Sequence, residues 1–348
     1  MKLLLIKTSS IGDLLHCFPA LTDAQRAVPG LSVDWVVEEG LAEIPAWHPS
    51  VRRIITVAYR RWRFRPIKGL FGGPLAALRR ELGAEAYDLV LDAQGLYKSA
   101  IIAWMARGPR HGFDLASSRE KLAPLAYAVR HHIPRSEHAV IRQRRLFAEA
   151  LGYPTPASPP DYGLARDRLP APPLSGRYLV FLHGTAWITK LWPESHWQGL
   201  VELAAAAGYW VVLPYGSRSD QARAERIAAA TGKARSLPTR SLAAAAGLIG
   251  GAAGCVAVDT GLGHLAAALD VPTVTLYGPS SATRTGTLGR RTAQLAAGLP
   301  CAPCRKKLCA VTGRPRLPSP CMAGLTEGRV WLQLIELMMR RVPGAAGA

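Results

Sequence analysis

Acidic side chains are scarce in this chain. Asp and Glu number 24 against 43 Lys and Arg, leaving a formal charge of +19 and a pI near 10.2. A surplus of that size points to anionic partners: nucleic acid, phosphorylated lipid or nucleotide-linked substrates. Charged residues of either sign make up only 19% of the chain and apolar ones 49%, which excludes a disordered polyelectrolyte. Long hydrophobic runs are also missing. No stretch holds 18 consecutive uncharged apolar residues, so no membrane-spanning helix is expected. The opening apolar run, Leu3 to Ile6, is shorter than the roughly 7 to 15 residues of a signal-peptide core and is closed by Lys7, so nothing there directs secretion. Cysteine is sparse, with six residues in 348. Cys17 and Cys255 are isolated, as suits a reducing cytosol, whereas Cys301, Cys304, Cys309 and Cys321 fall within 21 residues. No P-loop, complete GxGxxG, helix-turn-helix, zinc-finger, RRM or KH signature occurs, which turns the positive charge away from nucleic acid.

What is present is an alternation of short apolar strands and amphipathic helices. Lys2 to Lys7 reads as a strand, Ser9 to Asp13 as a turn and Leu14 to Val28 as a helix. Ser32 to Glu38, Asp88 to Asp92 and Gly112 to Asp114 repeat the strand pattern, with a helical stretch such as Leu75 to Leu82 between them. The length favours two domains, and seven prolines from Pro154 to Pro173 mark the junction. We therefore expect a first α/β domain over 1–153, a linker over 154–176 and a second α/β domain over 177–325. The second begins with a strand from Tyr178 to His183 and includes another from Gly254 to Thr260. A closing helix within 326–348 carries Val330, Leu334, Leu337 and Met338 at helical spacing. Such alternation predicts parallel, doubly wound sheets.

Ligands of such folds bind at the carboxyl ends of the strands, so the informative loops follow strands. The loop Asp259-Thr260-Gly261-Leu262-Gly263-His264 opens a helix with glycines, where a diphosphate could meet the positive helix terminus. An ordinary glycine-rich helix start fits the same residues, and His264 alone fits a buried core histidine. Thr185 and Lys190, after another strand, could supply a hydroxyl and a cation to that diphosphate. Asp13 fits either a first-turn carboxylate favoured by the helix dipole or a general base. The basic run Arg60-Arg61-Trp62-Arg63-Phe64-Arg65, continued by Lys68, could bind phosphates or an anionic membrane surface. The spacing Cys301-x2-Cys304-x4-Cys309-x11-Cys321 could hold a structural zinc or iron ion; reduced thiols or a disulfide fit it as well.

Taken together, KTSSIGDLLH (7–16), FPALTDAQRAVPG (18–30), DWVVEEG (34–40), RRWR (60–63), DAQGLYKSA (92–100), GFDLASSRE (112–120), HGT with Lys190, and DTGLGHLAAAL (259–269) are similar to the lipopolysaccharide heptosyltransferases of glycosyltransferase family nine. The resemblance implies a GT-B fold, two facing Rossmann-like domains around a cleft, with the final helix crossing back to the first domain. It implies inverting transfer of L-glycero-D-manno-heptose from ADP-heptose to a Kdo residue of lipid A in the inner core, on the cytoplasmic face of the inner membrane, with no cofactor required. Asp13 then matches the catalytic base. Thr185, Lys190, Asp220, Asp259, Thr260, Gly261 and His264 match donor-binding positions, and Ser10, Arg60, Arg61, Arg63, Lys98 and Arg119 acceptor-binding ones. Ala186 and Trp187 depart from the polar residues common after HGT, Gly263 replaces a usual serine, and the cysteine cluster resembles a sister branch. The competing readings are transfer of a later heptose and a nonenzymatic protein that binds sugar nucleotide or anionic lipid.

Overall fold

The computed structural model describes residues 1–62, 73–312 and 319–340, and the chain divides into two compact units, Met1–Arg168 and Leu169–Ala348. Each unit is built on a six-stranded parallel sheet. The strands of the first are β1 (Lys2–Ile6), β2 (Ser32–Glu38), β3 (Val51–Val57), β4 (Leu89–Asp92), β5 (Arg110–Phe113) and β6 (Val129–His131). Those of the second are β7 (Tyr178–Leu182), β8 (Trp210–Tyr215), β9 (Ala234–Pro238), β10 (Gly254–Val258), β11 (Thr273–Tyr277) and β12 (Thr292–Ala296). The orders are β3-β2-β1-β4-β5-β6 and β9-β8-β7-β10-β11-β12, so both units are wound the same way.

The central strands β4, β7, β10 and β11 are buried along their whole length, as expected where helices cover both faces. Periodicity missed β3 because Arg52 and Arg53 interrupt its apolar pattern. Both guanidinium groups reach the buried carboxylate of Asp34 on β2, Arg52 at 2.8 and 2.9 Å and Arg53 at 3.0 Å. The half-exposed β9 and β12 lie at the edges of the second sheet, and the short β6 at an edge of the first. The helical stretch expected from Leu14 to Val28 is two helices, Ile11–Leu15 and Phe18–Ala27. Pro19 sits in the first turn of the second, where its missing N–H costs no helical bond.

The proline-rich segment is divided between the two units. Its first part straps the first unit: Tyr162 is buried, the Arg144 guanidinium donates to the Ser158 carbonyl at 2.7 Å, and the Ala165 N–H to the Trp47 carbonyl at 3.0 Å. Gly163, at φ +56, crosses so close to Thr22 that a Cβ would come within 2.3 Å of its hydroxyl oxygen. Beyond Arg168, Pro170 and Pro172 lie against Gly247 and Gly251 of the second unit. The closing helix, Glu327–Met339, places Val330, Leu334 and Leu337 in the core of the second unit, and residues 341–348 lie outside the described residues.

Candidate active site

In each unit the strand order switches direction between its first and fourth strands, β1/β4 and β7/β10, and loops leaving such a pair diverge to form a ligand crevice. The candidate residues gather there. In the first unit, Ser10 and Asp13 occupy the turn and the first helix after β1. Ser10 donates both its backbone N–H and its hydroxyl to Oδ2 of Asp13, at 2.8 Å each. That arrangement caps the helix and also fixes a half-exposed carboxylate at the mouth of the loop.

The loop after β4 holds this turn in place. Gln94 Oε1 accepts from the N–H groups of Thr8 (3.0 Å) and Ser9 (3.4 Å), and the buried Lys7 ammonium donates to the Ala93 carbonyl at 2.7 Å. Asp92 anchors the same loop: its Oδ1 accepts from the N–H groups of Gln94 and Gly95, and its Oδ2 from the Tyr127 hydroxyl at 2.6 Å. Burial raises the Asp92 carboxyl above the ordinary carboxylate range, against the pull of those hydrogen bonds. Cys17, below the turn, is pushed up to about 12 by burial and stays an inert thiol.

Of the candidate acceptor residues, the structure brings Lys98 to the helix Tyr59–Trp62. The Tyr59 hydroxyl donates to the Lys98 carbonyl at 2.9 Å, and the Lys98 ammonium lies 5.5 Å from the Tyr59 ring centroid. Arg61 on that helix is exposed and pairs with Glu39 at 3.0 Å. Arg119 is exposed in the segment after β5. Arg60 is described by its backbone in the same helix, while Arg63 and Lys68 lie outside the described residues.

In the second unit the loops after β7 and β10 meet. Lys190 Nζ lies 2.6 Å from Asp259 Oδ2, and the Thr185 hydroxyl donates to the Asp259 carbonyl at 3.2 Å. Thr260 is extended and precedes the helix Gly261–Ala268, whose positive terminus opens beside them. His264 is buried inside that helix. Asp220 accepts from the Ser217 hydroxyl at 2.6 Å, faces Arg223 at 3.5 Å and lies against Gly184, where an added Cβ would come within 3.1 Å of Oδ1. His183, before Gly184, is pulled down to about 4 by burial, with Arg223 adding to the effect.

Sequence reasoning missed a second cation here. Lys190 and Lys307 approach the Trp187 ring at 4.6 and 5.7 Å from its centroid, and the Thr189 hydroxyl ties the Lys306 carbonyl down at 3.0 Å. Trp187 thus spaces two ammonium groups, and with 117 positions separating Lys190 from Lys307 the sequence carries no signal of their meeting. Asp92, Gln94 and Tyr127 were also missed as supports of the first loop.

The expected metal centre is not supported. Cys301, Cys304, Cys309 and Cys321 line one cavity of about 300 Å³, but among the described residues no group of three or more His, Cys, Asp or Glu is placed to hold an ion. Cys301 is exposed and Cys321 buried, and Leu299, Lys306 and Val311 share the cavity wall with the four thiols. Hydrogen bonds from Thr312 lower the Cys309 thiol, whereas burial raises that of Cys321.

The family model of glycosyltransferase family 9 (heptosyltransferase) matches residues 75–313. The chain is 52% identical over 310 residues to lipopolysaccharide heptosyltransferase 1 of Pseudomonas aeruginosa, covering 89% of this chain and 87% of that protein. It is 48% identical to lipopolysaccharide heptosyltransferase 1 of Escherichia coli K12, over 83% and 92% of the two chains. Among solved structures, E. coli heptosyltransferase WaaC with ADP aligns with a TM-score of 0.83 at 42% identity, over 97% of this chain and 100% of that one. The same enzyme with ADP-2-deoxy-2-fluoro heptose aligns at 0.80 and 43%, over 97% and 99%. The fold is GT-B, with two doubly wound units. The chain therefore belongs to glycosyltransferase family 9, the heptosyltransferases.

Proposed function

We propose that this enzyme moves L-glycero-D-manno-heptose from ADP-heptose to a Kdo residue of lipid A, the first heptose transfer of the lipopolysaccharide inner core. One observation carries the mechanism: a carboxylate fixed by Ser10 at the switch point of one unit, and a lysine-rich switch point in the other. Asp13 takes the proton of the Kdo hydroxyl as its oxygen attacks the anomeric carbon of heptose. The new C–O bond forms on the face opposite the breaking bond to phosphate, so the configuration inverts. ADP departs with the bonding electron pair, its charge met by Lys190, Lys307, Thr185 and the amides at Thr260–Gly261. Asp259 and Asp220 orient the donor, and His264 supports the Asp259 loop from within its helix.

The donor assignment draws on the E. coli enzyme bound to ADP and to a fluorinated ADP-heptose, and the choice of first transfer on the likeness to heptosyltransferase 1 proteins. Ser10, Arg60, Arg61, Arg63, Lys98 and Arg119 meet the carboxylates and phosphates of the acceptor. No helix among the described residues is long and apolar enough to cross a membrane; we place the enzyme on the cytoplasmic face of the inner membrane, held peripherally by its positive charge. Transfer needs no metal, because side-chain cations carry the diphosphate. The test is ADP release and acceptor mass with ADP-heptose and Kdo-lipid A in the absence of divalent metal. Wild type transfers, and Asp13→Ala falls by roughly 10²- to 10⁴-fold, the usual contribution of a general base. Equal transfer by both would reduce Asp13 to a helix cap, and transfer only to a heptosylated acceptor would move the enzyme to a later step.

A further inference from the structure

The helix Tyr97–Met105 is a surface helix with its polarity reversed. Ser99, Ala100, Ile102 and Ala103 face the protein, while Tyr97, Ile101 and Trp104, one stripe at i, i+4 and i+7, face outward. Trp104 is 66% exposed and Ile101 52%. The 3₁₀ turn Ala123–Ala126 packs along this helix and adds Leu122 and Leu125, 62% and 65% exposed. Scattered exposed apolar residues are ordinary, but a group carrying Trp, Tyr, Ile and two Leu on one packed pair of elements is a contact surface.

The surface is braced. Glu120 Oε2 accepts from the Tyr97 N–H at 2.6 Å, the Glu120 N–H reaches the Gly95 carbonyl, and Asp114 Oδ1 accepts from the Ser117 N–H at 2.8 Å. These bonds fix the loop to the helix and occupy both acidic residues of the region. Between Tyr97 and Arg135 the chain carries seven Lys and Arg against those two carboxylates. Arg107, Arg119, Lys121 and Arg130 are all exposed, and Arg119 and Lys121 lie just before Leu122 in the chain.

We infer that this face seats the enzyme on an anionic lipid bilayer. Trp104 and Tyr97 have the apolar body and polar tip that suit the headgroup level, Ile101, Leu122 and Leu125 reach the acyl boundary, and the cations meet lipid phosphates. The inference rests on the acceptor being a membrane lipid, as proposed above. Lys98 and Arg119 adjoin this face, so a sugar headgroup rising from the bilayer would meet them without its acyl chains leaving the membrane.

The experiment is co-sedimentation of the full chain, without donor or acceptor, with vesicles of phosphatidylcholine alone or with added phosphatidylglycerol. Wild type partitions to the anionic vesicles and is released by salt. The triple variant Ile101→Ser, Trp104→Ser, Leu125→Ser loses at least about tenfold in partition coefficient, from its lost apolar contact. Lys121→Glu, a change at one exposed side chain, weakens binding to the anionic vesicles alone. Both variants keep wild-type transfer to a detergent-dispersed acceptor. Equal binding of wild type and triple variant overturns the proposal. So does light scattering that finds a wild-type dimer and a monomeric variant with no difference on vesicles, which would assign the face to a second copy of the chain. Because vesicle binding needs no substrate, its failure leaves the transfer assay to judge the proposed reaction separately.

Discussion

The two units wind their sheets in the same order, yet their switch points carry opposite chemistry. The first exposes a carboxylate, Asp13, on a turn fixed by Ser10 and braced by the loop after β4. The second gathers cations, Lys190 and Lys307, around Trp187, with a glycine-opened helix terminus beside Lys190. One topology thus supplies two strand-order switch points and the loops decide their charge, which is the basis of the proposed split between a proton-accepting site and a diphosphate site. The lesson is that site assignment follows from what each βα loop carries and not from the fold.

The sharpest way to break this comparison is to remove the cation of the second switch point. Lys190→Ala should lower kcat/KM by about 10²- to 10³-fold, the scale of one lost electrostatic stabiliser, and weaken ADP binding seen by calorimetry. Asp259 would then be left without its ion-pair partner, so Lys190→Arg should recover part of the loss. Lys307→Ala should cost less, several-fold to about tenfold, because Lys307 stands farther from the Trp187 ring than Lys190, which also pairs with Asp259.

A smaller effect is shared by both units. Burial pulls His48 in the first and His183 in the second from 6.5 down to about 4. Both are neutral in the folded protein at pH 5 to 6, whereas the unfolded chain binds their protons below about 6.5. Acidification therefore favours the unfolded chain: stability falls as the pH drops from 6.5 toward 4, by about 3 kcal/mol per histidine at full development. Denaturant unfolding at pH 7 and pH 5 should show the fall, and His183→Asn should remove about half of what these two histidines contribute. An unchanged slope in that variant would show that His183 charges freely in the folded state.

Much of this was legible in the sequence, and the part that was not has a common cause. The strands β1, β2, β4, β7, β8, β10 and β11 announce themselves through apolar runs. The place of Asp13 in the turn after β1 was legible because Ser9 to Asp13 follows a strand directly, while its choice between helix cap and base was not; the Asp259–His264 loop was legible because its glycines follow a strand directly. Partnerships across the sheet were not. Lys190 and Asp259 were each singled out, but their ion pair joins loops 69 positions apart. Asp92 with Tyr127 and Lys7 with Ala93 are likewise contacts that the parallel crossovers create, and Trp187 meets Lys307 on a segment beyond the last strand. The cysteine spacing left a metal, a disulfide and reduced thiols open, and the structure shows free thiols around one cavity.

The central claim is a division of labour between the two switch points, and ADP calorimetry paired with transfer assays on Asp13→Ala and Lys190→Ala tests it most directly. The account predicts that Asp13→Ala binds ADP as wild type does and fails to transfer, while Lys190→Ala loses ADP affinity and transfer together. Equal loss of ADP affinity in both variants, or undiminished transfer by Asp13→Ala, would contradict it.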